Sequence, residues 1–190
     1  MLKLKFVLFF LIVLNFYTKD IYSQPVTFVE HKDHNIQAFY NGQFLAVDVN
    51  KDGWLDVVQT GFDDNQYYFT VFLNNRNFTF SPLSPITTYL SNPKTAWADI
   101  DNDGNIDFAV CGMDNTGVKR TLIGVNNGDS TFTLKNYDIL GVTLGEPLWA
   151  DLDNDGKTDL LVYGIDNDGK RVTVLYKNNS NDFIEIKRLR

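Results

Sequence analysis

A nine-residue pattern, Asp-x-Asp/Asn-x-Asp-Gly-x-x-Asp, occurs three times in this chain at almost equal intervals, and it restricts the possible folds more than any other feature. The copies begin at Asp48, Asp99 and Asp151. A period near 50 residues belongs to propellers, solenoids or arrays, in which each unit buries its apolar faces only against its neighbours. A repeat protein is therefore expected.

The spacing itself carries chemistry. Oxygen side chains at positions 1, 3, 5 and 9, with glycine at 6 for a sharp backbone bend, suit a hard cation that takes six to eight oxygen ligands. In the third copy these are Asp151, Asp153, Asp155 and Asp159 around Gly156, and the position-7 carbonyl of Lys157 adds another oxygen. The second copy has Asp99, Asp101, Asp103 and Asp107. The first has Asp48, Asn50, Asp52 and Asp56, with asparagine at position 3. An EF-hand is excluded, because it requires a bidentate Glu at position 12 and flanking helices. Position 12 here is Gln59, Val110 or Val162, within β-branched and aromatic runs that read as strand.

The rest of each unit follows one plan. A short strand candidate runs into the loop (44–47, 95–98, 147–150), and a second leaves it and ends at Gly61, Gly112 or Gly164. A polar turn leads to a third strand, Tyr68 to Leu73, Arg120 to Val125 or Arg171 to Tyr176. An Asn pair then precedes a fourth strand at 78–80, 131–134 or 183–186. The expected fold is all-β: three four-stranded antiparallel repeats of about 51 residues, each a β-propeller-type blade, over residues 39–86, 87–138 and 139–190. Residues 24–38 form an N-terminal segment with a strand candidate at Val26 to Glu30.

The Trp-Ala-Asp-x-Asp-Asn-Asp-Gly-x-x-Asp run, the glycine after the second strand and the Asn pair before the fourth resemble FG-GAP or VCBS-type repeats, as in integrin alpha-subunit propellers. The resemblance covers about Phe39 to Ile186. It implies a Ca²⁺ site between the first two strands of each blade, up to three in all. Carried over by position, the ligands are the side chains named above with the carbonyls of Trp54, Asn105 and Lys157. The third copy matches the pattern best. The first departs at Asn50 and at Ala46, where the others have Trp97 and Trp149, so its site is expected to be the weakest.

Lys3 and Lys5 precede an apolar run from Phe6 to Leu14, and a short polar segment ends at Ser23. This reads as a signal peptide over residues 1–23, too short for a membrane span of roughly 20 apolar residues, so a secreted or cell-surface protein is expected, with no membrane span in the mature chain. The chain carries a net charge of −7, and its acidity has a specific source: eleven of its 24 acidic residues are proposed ligands. Without a basic patch beyond Lys187, Arg188 and Arg190, nucleic acid is not an expected partner. The one cysteine, Cys111, has no partner for an internal disulfide and reads as a small packed hydrophobe.

Propellers usually have four to eight blades, so three copies are expected to belong to a longer propeller, to associate with themselves, or to remain an open array. The leading functional expectation is a non-catalytic calcium-binding module for an extracellular protein or glycan ligand. The alternatives are a catalytic or accessory propeller of a polysaccharide lyase or hydrolase, for which Glu146, Tyr137 and Asp138 are the unrepeated candidates, and a calcium-rigidified spacer.

Overall fold

Twelve strands follow one another along the described part of the chain with no helix between them, and they form three separate four-stranded antiparallel sheets. The structure is a computed structural model and describes residues 27, 29–32, 34–83, 86, 90–180 and 182–190. The chain divides into two units, Met1–Lys32 and Asp33–Arg190, and all three sheets lie in the second. The expected signal peptide lies outside the described residues.

Blade 1 contains β1 (Tyr40–Val47), β2 (Asp56–Phe62), β3 (Tyr67–Asn74) and β4 (Phe80–Pro82). Blade 2 contains β5 (Ser91–Ala98), β6 (Asp107–Met113), β7 (Lys119–Asn126) and β8 (Phe132–Lys135). Blade 3 contains β9 (Pro147–Ala150), β10 (Asp159–Ile165), β11 (Arg171–Asn178) and β12 (Phe183–Leu189). In every sheet spatial order equals chain order, the simple up-and-down meander expected when short turns join successive strands.

The alternation of side chains along the second strands explains how blades stack. In β6, Phe108 and Val110 are buried with Val49, Val58, Phe69 and Val71 of blade 1. Ala109 and Cys111 point the other way and join Leu160, Val162, Val174 and Tyr176 of blade 3. The middle sheet is thus buried on both faces, which is why Phe108 to Cys111 reads as an unbroken apolar run. Trp97 packs between Phe69, Phe108 and Phe132, and Trp149 packs on Phe183. Both tryptophans are core elements. Their first strands also touch across blades: Trp149 Nε1 donates to the Ala96 carbonyl at 3.1 Å, and Gln43 exchanges hydrogen bonds with the Thr95 backbone at 2.8 and 3.1 Å.

Several strand boundaries differ from the sequence reading. The fourth strand of blade 1 starts at Phe80, because Arg76 and Phe78 take left-handed φ of 66° and 65° in a turn closed by Asn75 and Thr79. The first strands of blades 1 and 2 begin earlier than expected and carry a bulge, between Tyr40 and Gln43 and between Ser91 and Lys94. Gly42 sits in the first bulge, where a Cβ would stand 1.8 Å from the Thr60 carbonyl oxygen. The expected strand at 26–30 falls partly outside the described residues, and Thr27, Val29 and Glu30 lie in no strand. Residues 34–39 instead meet blade 1 through isolated contacts. His34 accepts from Phe80 N at 3.1 Å, Gln37 accepts from Gln59 Nε2 at 3.0 Å, and Phe39 stacks on Tyr68.

Candidate metal centre

Each acidic loop joins the first strand of a blade to the second, and its shape follows from two left-handed residues. Position 4 (Lys51, Asn102, Asn154) has φ of 58°, 60° and 59°, and the glycine at position 6 (Gly53, Gly104, Gly156) has φ of 83°, 81° and 81°. Asparagine and glycine tolerate this region, whereas Lys51 occupies it at a steric cost.

The ninth residue closes the base. Asp107 is fully buried, and its two carboxylate oxygens accept from Ile100 N at 3.0 Å and Asn126 N at 2.8 Å. Asp159 does the same with Leu152 N (3.1 Å) and Asn178 N (2.9 Å), and Asp56 with Val49 N (2.9 Å) and Asn74 N (2.8 Å). The residue thus ties the start of the loop to the end of the blade's third strand. Burial pushes the Asp107 carboxyl up to about 6 against the pull of those two N–H groups, and raises that of Asp56 as well.

At the rim, position 1 organises the turn. Asp48, Asp99 and Asp151 accept from the backbone of Gly53 (2.9 Å), Gly104 (2.8 Å) and Gly156 (3.0 Å). Asp99, Asp101 and Asp107 then each bring a carboxylate oxygen within 4.8 Å of the other two, and Asp151, Asp153 and Asp159 form the equivalent trio. Among the described residues the first loop assembles no such trio. Asn50 replaces one carboxylate there, and Asp52 pairs with Arg76 Nη2 at 3.1 Å.

Position 5 behaves differently from the spacing argument. Asp52, Asp103 and Asp155 turn back on their own loops and accept from the N–H of Trp54 (2.9 Å), Asn105 (2.6 Å) and Lys157 (3.0 Å). These bonds and the neighbouring cations hold all three carboxyls below the usual range. The three residues whose carbonyls were expected as ligands therefore use their N–H groups to cap position 5.

The middle loop fits a hard cation best. Its donors are all oxygens, and Asp99 Oδ1 is buried and accepts no hydrogen bond from the described residues. A buried anionic oxygen without a partner is costly unless a positive charge satisfies it. The third loop has the same trio but a different neighbour: Lys177 Nζ contacts Asp153 and bridges to Asp155 at 3.1 Å.

Two groups of residues escaped the spacing argument. Asn126 and Asn178, read only as markers before the fourth strand, connect the blades. Asn126 Nδ2 donates to the Val49 carbonyl of blade 1 at 3.0 Å and to Ile106 at 3.2 Å. Asn178 Nδ2 donates to the Ile100 carbonyl of blade 2 at 2.8 Å and to Thr158 at 3.0 Å. The loops of blades 2 and 3 also meet directly, through Thr158 Oγ1 and the Asp99 carbonyl at 3.0 Å. The second group is the cations Arg76 and Lys177. The signal for Lys177 was available: the residue before the Asn pair is Leu73, Val125 and then Lys177, one charge in an otherwise apolar column.

Comparison with known proteins agrees with this architecture. The FG-GAP-like repeat family matches residues 48–110 and 99–162, together more than half of the chain. No curated protein matches the sequence. Among solved structures, a lectin from Agrocybe aegerita, described for its specific recognition of non-reducing terminal N-acetylglucosamine, is similar in fold with a TM-score of 0.51 at 22% identity. The match covers 78% of this chain and 38% of the lectin chain.

Proposed function

Since the chain belongs to the FG-GAP-like repeat family, we propose that it is an exported calcium-binding repeat module whose blades bind a protein or glycan ligand and carry out no catalysis. The observation that supports calcium most directly is the middle loop, where Asp99, Asp101 and Asp107 converge and Asp99 Oδ1 is buried without a partner. Calcium supplies the positive charge that these oxygens need, and it binds only the folded loop, so it stabilises the blades by mass action. A site that binds at roughly 10⁻⁴ to 10⁻³ M still fills outside a cell.

The likeness to a lectin supports a glycan as the first ligand class to test. Glu146, the leading unrepeated candidate for an enzyme, accepts from the Tyr163 hydroxyl at 2.8 Å and shares no repeated site; the non-catalytic reading gives it a structural role.

Thermal unfolding with 10 mM calcium and with chelator tests the metal. If the dissociation constant is about 10⁻⁴ M, the linkage amounts to about 2.7 kcal/mol. For a chain of this size that corresponds to a rise in Tm of roughly 5–10 °C. Asp101→Asn should remove most of the shift. An unchanged Tm would sink the calcium reading, and a glycan array with no calcium-dependent hit would remove the glycan class.

A further inference from the structure

We propose that Lys177 is a built-in counter-ion of the third acidic loop, competing with calcium for its carboxylates, so that the middle loop fills first although the third carries the better sequence match. The inference rests on the calcium reading above and concerns which loop the metal reaches.

Three observations carry it. Lys177 Nζ engages Asp153, one of the trio with Asp151 and Asp159, and at the same time reaches Asp155 at 3.1 Å. One ammonium therefore holds the position-3 and position-5 carboxylates together, as a bound cation would. The corresponding residue of blade 2 is Val125, which packs against the core between blades 2 and 3 and brings no charge to its loop. There the position-5 carboxylate bonds the backbone and side-chain N–H groups of Asn105, at 2.6 and 2.8 Å, and Asp99 Oδ1 is left buried and unpartnered. Two loops with nearly the same ligand spacing thus differ in how closely a cation engages the carboxylates: Lys177 forms ion pairs with Asp153 and Asp155, whereas Lys51 Nζ lies beside Gly104 and acts on Asp103 only through space, without an ion pair to the middle trio among the described residues.

The competition follows from Coulomb attraction. A calcium ion that takes Asp153 must displace the ammonium or accept a like charge beside it, and either lowers its affinity. The side chains involved are 30–43% exposed, so solvent screens the effect. Pairs of this kind in water correspond to a change of roughly 1.5- to fivefold. Lys157 also lies in this loop, but its N–H bonds Asp155 Oδ1 while the Lys177 ammonium takes Oδ2.

The test is calcium titration calorimetry of the full chain in an Asp101→Asn background, which weakens the middle loop as Asn50 weakens the first, with Lys177→Met, Lys177→Gln and Lys177→Arg added singly. The first two should tighten calcium binding at the third loop roughly 1.5- to fivefold, and the arginine should not. In chelator the two uncharged variants should also unfold at a lower temperature than the parent, a deficit that calcium removes. Equal affinity in Lys177→Met and Lys177→Arg would overturn the proposal. So would an Asp101→Asn background that binds no calcium with Lys177→Met present, although the calcium reading would then survive on the middle loop. Absence of calcium binding by the parent chain and every variant would end both.

Discussion

The second and third acidic loops differ little in ligand spacing but differ in what surrounds the ligands. Both close on a buried ninth aspartate that accepts two backbone N–H groups, and both gather a trio of carboxylates within 4.8 Å. In the middle loop the neighbouring third strand contributes Val125, and one rim oxygen is buried without a partner. In the third, the same strand position delivers Lys177 into the cluster. A ligand pattern along the chain therefore defines a cradle, and a side chain 24 residues away decides what sits in it.

The largest expected effect probes what the two loops share. Asp107→Ala strands two buried backbone N–H groups and Asp159→Ala strands one buried and one part-buried, and each should cost about 2–5 kcal/mol in urea unfolding. Similar losses keep the difference between the loops confined to the rim; a much smaller loss for Asp159→Ala would place it in the scaffold instead.

Next in size are the asparagines that bridge blades. Asn126→Ala and Asn178→Ala each leave one buried and one part-buried carbonyl short of a donor, at a cost of about 1–3 kcal/mol. Asn74 Nδ2 bonds only the Leu55 carbonyl of its own blade, so Asn74→Ala should cost about 1 kcal/mol. If all three cost the same, the bonds between blades add nothing beyond the bonds within them.

The smallest effect is kinetic. Cys111 faces blade 3, its Sγ lies 3.4 Å from the Gly145 carbonyl, and burial pushes its thiol up to about 12. Because the folded value is raised, thiolate is scarce at pH 8 and grows only as pH approaches 12. An aromatic disulfide reagent should therefore label the thiol only when the junction between blades 2 and 3 opens. Calcium should slow that labelling, and Lys177→Met should make the slowing more pronounced. Fast labelling at pH 8 that ignores calcium would show that the junction opens independently of the loops.

Much of this was legible beforehand because it depends on local chain chemistry. The period near 50, the aspartate spacing and the strand runs fixed the blades and their order, since each strand pairs with the next along the chain. What spacing missed depends on the third dimension. Asn126 and Lys177 act across a fold that brings the end of a third strand beside a loop. A column of equivalent residues, Leu73, Val125 and Lys177, held the clue; the loop pattern alone did not.

The second residue of each loop has a consequence for how such chains lengthen. Ile100 gives its N–H to its own blade's Asp107 and receives Asn178 of the following blade on its carbonyl, and Val49 stands in the same relation to Asp56 and Asn126. The middle repeat thus carries both halves of the seam, a carbonyl to offer forward and an asparagine to reach back. A duplicated segment that preserves the loop and the asparagine brings its own fastening with it, and gene duplication can extend the array without inventing a new interface.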